Sequence, residues 1–261
     1  MQGSYSTQSY GTTLGIDTLI TDDFTLGGAL SLIRTDVRHN DQIKGNDKGR
    51  ANSSMLSIYG LQQFSQNYFL QGIGILGLSK LSNVEERKAN PLQTQYAHAK
   101  YDSKNYGAQV IGGRMFHLNK LITFSPMIGL RYSAAQDDGY TETGAGSQNL
   151  AVSKKSIDSW EGIMAAKLAM HQEYKNIYLE PQLQVMVNYN IKSKAPVMQI
   201  HIDGLNAPIQ FRDQKSSKAW YALNVGVDIN SNKFDHGIFY EIQLDRKYVS
   251  HQGLLKFRFN F

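Results

Sequence analysis

The residues best suited to acid–base or metal chemistry are seven histidines, at positions 39, 98, 117, 171, 201, 236 and 251. None belongs to an HExxH pair or another close metal-ligating spacing. The chain has no cysteine, so thiolate nucleophiles, disulfides and cysteine-rich zinc sites are excluded. Asp22-Asp23 reads as a turn and Asp137-Asp138 as a loop edge. The stretch 41–49 (DQIKGNDKG) lacks the 1-3-5 oxygen spacing of a calcium loop. No cofactor is expected. One catalytic arrangement stays open: His201 and Asp203 could converge with Asp137 and Asp138 at the rim of a barrel protease or phospholipase.

The elements that would carry these residues are strands. Hydrophobic residues make up 41% of the chain and mean hydropathy is −0.40. No segment approaches the roughly 18 continuous apolar residues of a membrane helix. Instead, apolar and polar residues alternate with period two. Ile122, Phe124, Pro126, Ile128, Leu130 and Tyr132 oppose Thr123, Ser125, Gly129, Arg131 and Ser133. Leu179, Pro181, Leu183, Val185 and Val187 oppose Glu180, Gln182, Gln184 and Asn188. Leu255, Phe257, Phe259 and Phe261 oppose Lys256, Arg258 and Asn260.

This alternation predicts strands near 4–20, 24–38, 51–64, 68–84, 101–116, 121–137, 156–173, 177–193, 219–230, 236–246 and 252–261. Most exceed the roughly 5 to 6 residues of a soluble strand and reach the roughly 9 to 11 needed to cross a bilayer. Faces are ambiguous in 51–64 and 68–84, where glycines and apolar residues fall on both sides. Short connections (21–23, 65–67, 117–120, 174–176, 230–235) alternate with long polar ones (39–50, 85–100, 138–155, 194–218). That is the pattern of a transmembrane up-and-down antiparallel β-barrel, all-β and a single domain over 1–261, with short turns in the periplasm and long loops outside. The segment 196–211 predicts a hairpin projecting above the membrane.

Charges on the lipid side of such a barrel cost about 2 to 4 kcal/mol for Lys or Arg at the midplane. Asp17, Arg131, Glu161, Lys167, Glu180, Asp228, Glu241, Asp245, Lys256 and Arg258 are therefore expected inside. They would line a hydrated pore or form an ion network that stabilises the wall. Trp160, Trp220, Tyr5, Tyr10, Tyr59, Tyr101 and Tyr248 are among the aromatics expected to form interfacial girdles. Basic residues on the long-loop side could meet anionic headgroups, outer-membrane lipid and lipopolysaccharide being the expected surroundings. The net charge of +5 comes without a compact Lys/Arg tract, so nucleic acid is not an expected partner.

Two segments resemble a known family. Residues 10–17 (YGTTLGID) followed by 24–31 (FTLGGALS) look like the opening strands of the autotransporter β-domain. The closing run 248–261 (YVSHQGLLKFRFNF) is similar to the C-terminus of the rickettsial surface cell antigens. The resemblance implies a twelve-stranded, monomeric outer-membrane barrel of type V secretion, preceded by a pore helix and a secreted passenger. It implies no enzymatic activity. Phe257, Phe259 and Phe261 resemble the terminal signal read by the barrel-assembly machinery, although Lys256 departs from the small residue usual there. In the family, the strand matching 4–20 is the second. The eleven strands visible here, against the even number usual in bacterial barrels, accordingly predict that the helix and first strand are missing. The N-terminal residues do not read as a signal peptide, and the expectation is a piece of a longer precursor. A porin-like or adhesin-like barrel working through its loops is the alternative.

Overall fold

A computed structural model describes residues 4–40, 47–90, 93–175, 177–193, 197–202, 209–212, 217–231 and 233–260. In chain order its strands are β1 (Ser4–Thr21), β2 (Phe24–Asn40), β3 (Lys48–Gln63), β4 (Tyr68–Asn90), β5 (Gln93–Arg114) and β6 (Phe116–His117). Then follow β7 (Ile122–Asp137), β8 (Tyr140–Thr141), β9 (Leu150–Val152), β10 (Lys155–Met170), β11 (Gln172–Tyr174) and β12 (Ile177–Ser193). The last five are β13 (Val197–Ile202), β14 (Ile209–Arg212), β15 (Ala219–Asn230), β16 (Phe234–Leu244) and β17 (Val249–Phe259).

The long strands form one antiparallel meander in the order β1-β2-β3-β4-β5-β7-β10-β12-β15-β16-β17, with β6 and β11 as short additions. All eleven expected strands are present. The short connections are tight turns. Between β3 and β4, Gln66 and Asn67 take positive φ (61° and 63°), the pair of left-handed residues that matches the twist of a hairpin.

Two strands run further than the alternation suggested. The stretch 85–100, expected as a polar loop, continues β4 to Asn90 and begins β5 at Gln93. Beyond the membrane neither face must be apolar, so pairing persists where the lipid pattern has stopped. The long connections build a second, four-stranded sheet in the order β14-β13-β9-β8. It includes the expected hairpin, with Val197 opposite Arg212 and Ile200 opposite Ile209. Glu142, 4% exposed, fixes this sheet to the β4–β5 hairpin. It accepts hydrogen bonds from Arg87 Nη2 (3.0 and 3.2 Å) and from the Leu150 amide (2.9 Å). Tyr140 stacks on Tyr101 with ring centroids 4.5 Å apart, and burial pushes the Tyr140 phenol well above its ordinary pKa.

The large sheet has one apolar and one polar face. Leu14, Leu30, Leu56 and Leu76 are neighbours across four strands and all at least half exposed. Ile128, Leu255, Phe257 and Phe259 are 65–69% exposed on the same side. Exposed apolar surface this extensive marks a face that meets lipid or another apolar partner. Register settles the two ambiguous strands: Leu56, Ile58, Leu76 and Leu78 belong to the apolar face.

Candidate functional site: the polar lumen

Inward side chains follow from register. Starting at Asp17, register neighbours run through Gly27, Tyr59, Ile73, Gln109 and Arg131 to Glu161. Alternation then places all ten charged residues singled out from the sequence on this polar face.

Most of them meet opposite charges. Arg131 donates from Nε to Gln109 (2.7 Å) and from Nη1 to Glu161 (3.3 Å). Lys167 lies 3.4 Å from Glu180, and Lys256 3.0 Å from Asp228. Gln182 also donates to Asp228 (2.8 Å), and Gln243 donates to Glu241 (2.6 Å). Arg258 of β17 bonds Asp17 of β1, which also accepts from the Tyr59 hydroxyl (3.0 Å). Among the described residues, Glu241 has only the neutral Gln243, and Asp245 has a buried Oδ1 with no partner. Phe261 lies outside the described residues; Phe257 and Phe259 point to the apolar side.

The Asp17–Arg258 pair joins the two ends of the meander, so the sheet is curled. No backbone ladder links β1 to β17 among the described residues. An Arg and an Asp side chain reaching toward each other span roughly 10 Å, about two interstrand spacings.

At least four aromatics expected in the girdles, Trp220, Tyr59, Tyr101 and Tyr5, fall on the polar side of the register instead. Trp220 donates from Nε1 to Glu161 (3.4 Å), under the Arg131 guanidinium 5.5 Å from its ring. Tyr59 serves Asp17, and Tyr101 stacks on Tyr140. Trp160 is 43% exposed and Tyr10 57% exposed, both on the apolar side. A hydrogen-bonded chain absent from the sequence reading sits near the short-turn end. His117 Nδ1 is 3.1 Å from the Thr123 hydroxyl, Thr123 is 3.2 Å from His171 Nε2, and His171 Nδ1 is 3.3 Å from Glu180. These residues line a cavity of about 450 Å³. Sequence spacing could not reveal it, because its members come from four strands or turns.

The rim arrangement proposed from His201 does not assemble among the described residues. His201 pairs with Ala151 in the small sheet, Asp138 lies 3.9 Å from Lys154, and Asp203 is outside the described residues. No described helix is long and apolar enough to cross a membrane.

An up-and-down sheet with lipid-type residues on its convex face and paired charges within is the wall of an outer-membrane barrel. The comparisons with known proteins agree. Over 99% of its length the chain superposes on the translocator domain of autotransporter NalP from Neisseria meningitidis, with TM-score 0.74 at 16% identity, covering 82% of that chain. It superposes similarly on the β-domain of the Bordetella autotransporter BrkA, with TM-score 0.69 at 14% identity, covering 92% of that chain. At such identities these likenesses concern the fold.

The autotransporter β-domain family model matches residues 2–235, and the chain belongs to that family of bacterial outer-membrane translocator barrels. It is 32% identical over 262 residues to outer membrane protein A of Rickettsia conorii, and 32% identical over 263 residues to outer membrane protein B of the same species. Each match takes in 98% of this chain but only 13% and 16% of those proteins.

Proposed function

We propose that this chain is the membrane-embedded export unit of a longer surface protein, passing an N-terminal passenger through its lumen and anchoring it at the cell surface. The observation that supports this best is the segregation of the sheet. Its convex face carries lipid-compatible side chains, while Arg131, Glu161, Lys167, Glu180, Asp228, Glu241, Asp245, Lys256, Arg258 and Asp17 face the interior. In this reading they keep the conduit hydrated. Their pairing means that no single strong charge holds a passing polypeptide. The unit acts as a conduit and not as a catalyst.

The open seam between β1 and β17 supports a further part of the proposal. Unpaired strand edges are not tolerated in hydrocarbon. The reach of the Asp17–Arg258 pair allows a gap of up to about two strand spacings, room for one more strand. We assign that place to an upstream strand following a pore helix, in a monomeric barrel that the assembly machinery inserts through the terminal strand of Phe257, Phe259 and Phe261. Phosphorylated outer-leaflet lipid, such as lipopolysaccharide, surrounds it.

The test is a comparison of two polypeptides, this chain alone and this chain preceded by a family helix, strand and reporter passenger. The longer form is expected to migrate as a heat-modifiable band and to display the reporter to external protease. Reporter retained in the periplasm beside a correctly folded barrel would overturn the export reading.

A further inference from the structure

The convex face is not uniform around the barrel. On four adjacent strands, the apolar band ends outward in a basic residue. In β2, Leu26, Leu30 and Leu32 give way to Arg34. In β3, Ile58 and Leu56 give way, past Ser54 and Asn52, to Arg50. In β4, Leu76 and Leu78 give way to Lys80, and in β5, Val110 and Tyr106 give way to Lys104. On the next two strands no cation stands at that level. Lys104 faces Gln136 of β7, and the charged residues near it include Asp138, whose amide bonds Asp102, and Asp158, two residues before Trp160 in β10.

Register gathers the four cations. Arg34, Asn52 and Lys80 are register neighbours across β2, β3 and β4. Arg50 lies one step outward and Lys104 one step inward of that row. Three interstrand spacings set the width of the group at roughly 15 Å. The two arginines are partly ordered. Asp36 accepts from Arg50 Nε (2.9 Å) and Arg34 Nε (3.3 Å), and Arg34 also lies over the Tyr10 ring at 5.9 Å. Both guanidiniums meet Asp36 through Nε, and their side chains are 38% and 52% exposed. Lys80 and Lys104 are exposed and form no ion pair among the described residues. Asp102, beside Lys80 in the same row, and Asp36 are the two carboxylates within the group.

We propose that the β2–β5 flank is a lateral binding site for a phosphorylated lipid headgroup of the surrounding leaflet, with Arg34, Arg50, Lys80 and Lys104 as its phosphate ligands. A lipid whose tails lie on Leu30, Leu56 and Leu76 presents its headgroup where these four side chains begin. Guanidiniums and ammoniums pair with phosphate oxygens. The β7–β10 flank offers no such cluster of cations, with Asp138 3.9 Å from Lys154 and with Asp158 in β10, so the site is one-sided. The proposal rests on the outer-membrane reading above and adds to it a location and a ligand class.

The test uses the full chain, folded in phosphatidylcholine nanodiscs containing a minor fraction of diphosphoryl lipid A. Lipid A retained per barrel is measured by native mass spectrometry. Each charge near a bilayer surface is worth roughly fivefold in binding. The variant R34Q/R50Q/K80Q/K104Q is therefore expected to retain at least tenfold less lipid A, and raised ionic strength to weaken retention by the unaltered chain. D138N/D158N is expected to retain as much as the unaltered chain or more. Equal retention by the quadruple variant, with both proteins heat-modifiable, would overturn the proposal and leave the barrel standing. Failure of the unaltered chain to form a β-rich membrane species, with or without the upstream helix and strand, would instead overturn the reading on which it rests.

Discussion

The first five strands and the last six obey the same alternation and line the same interior, but with different chemistry. From β1 to β5 the inward positions within the membrane are mostly uncharged, and many are small. Ser9 bonds Thr35 (2.9 Å), Thr13 bonds Ser31 (2.8 Å), Ser53 bonds Ser79 (2.7 Å), and Asn105 donates to Ser79 (3.0 Å). Asp17 is the charge among them, and its ion-pair partner, Arg258, comes from the last strand. A recess of about 1000 Å³ lies over the row Gly11, Ile33, Ser53, Ser79 and Ser103. From β7 to β17 the wall carries ion pairs and large side chains, with Trp220 between Arg131 and Glu161. Phe239 lies over Gly226, where an added Cβ would collide with the ring. Hydroxyl ladders leave room; ion pairs and aromatics fill it. We read the neutral half as the side with space for a segment inside the barrel.

Perturbing the two halves should give unequal effects. The largest expected loss comes from crossing the faces. Leu130→Lys puts a cation on the lipid side of β7 and is expected to cost about 2 to 4 kcal/mol, whereas Asn224→Lys, facing inward on β15 opposite Glu241, is expected to be nearly neutral. Urea unfolding in lipid vesicles reads both, and similar losses would remove the facial assignment. Next comes the charged wall. Asp228→Ala strands Lys256 and Gln182. Because Lys256 is 42% exposed, solvent screening limits the cost to about 1 kcal/mol. Adding Lys256→Ala should recover part of it, and full additivity in the double-mutant cycle would deny the pair any coupling. The smallest effect belongs to the neutral wall, where Ser53→Ala is expected to cost about 0.5–1 kcal/mol with no change in its dependence on salt. A salt-sensitive loss there would erase the contrast between the halves.

What the sequence revealed, and what it hid, follow the same division. The alternation in Ile122–Tyr132 and Leu179–Val187 is unmistakable because lipid demands apolar residues on one side and the charged wall supplies polar ones on the other. Strands β3 and β4 were ambiguous because a neutral wall of Gly, Ser and Ile hardly differs from a lipid face containing Gly72 and Gly74. The outer extensions of β4 and β5 were read as loop because, away from lipid, strand pairing leaves no period in hydropathy. Trp220, Tyr59 and Tyr101 were assigned to girdles by type, while their partners Glu161, Asp17 and Tyr140 are distant in sequence and become neighbours only through register. The charged residues themselves were legible from their alternation with apolar neighbours; which of them pair was not.

The account depends most on which side chains face the interior. The chain has no cysteine, so single cysteines can be placed without background. Cysteines at Gln109, Arg131, Gln184 and Asn224, and at their neighbours Val110, Leu130, Leu183 and Val225, are to be probed with a charged maleimide on barrels assembled in intact lipid vesicles. The account predicts rapid labelling at the first four and protection at the second four until the lipid is dissolved. Equal labelling within each neighbouring pair, or the reverse order, would contradict it.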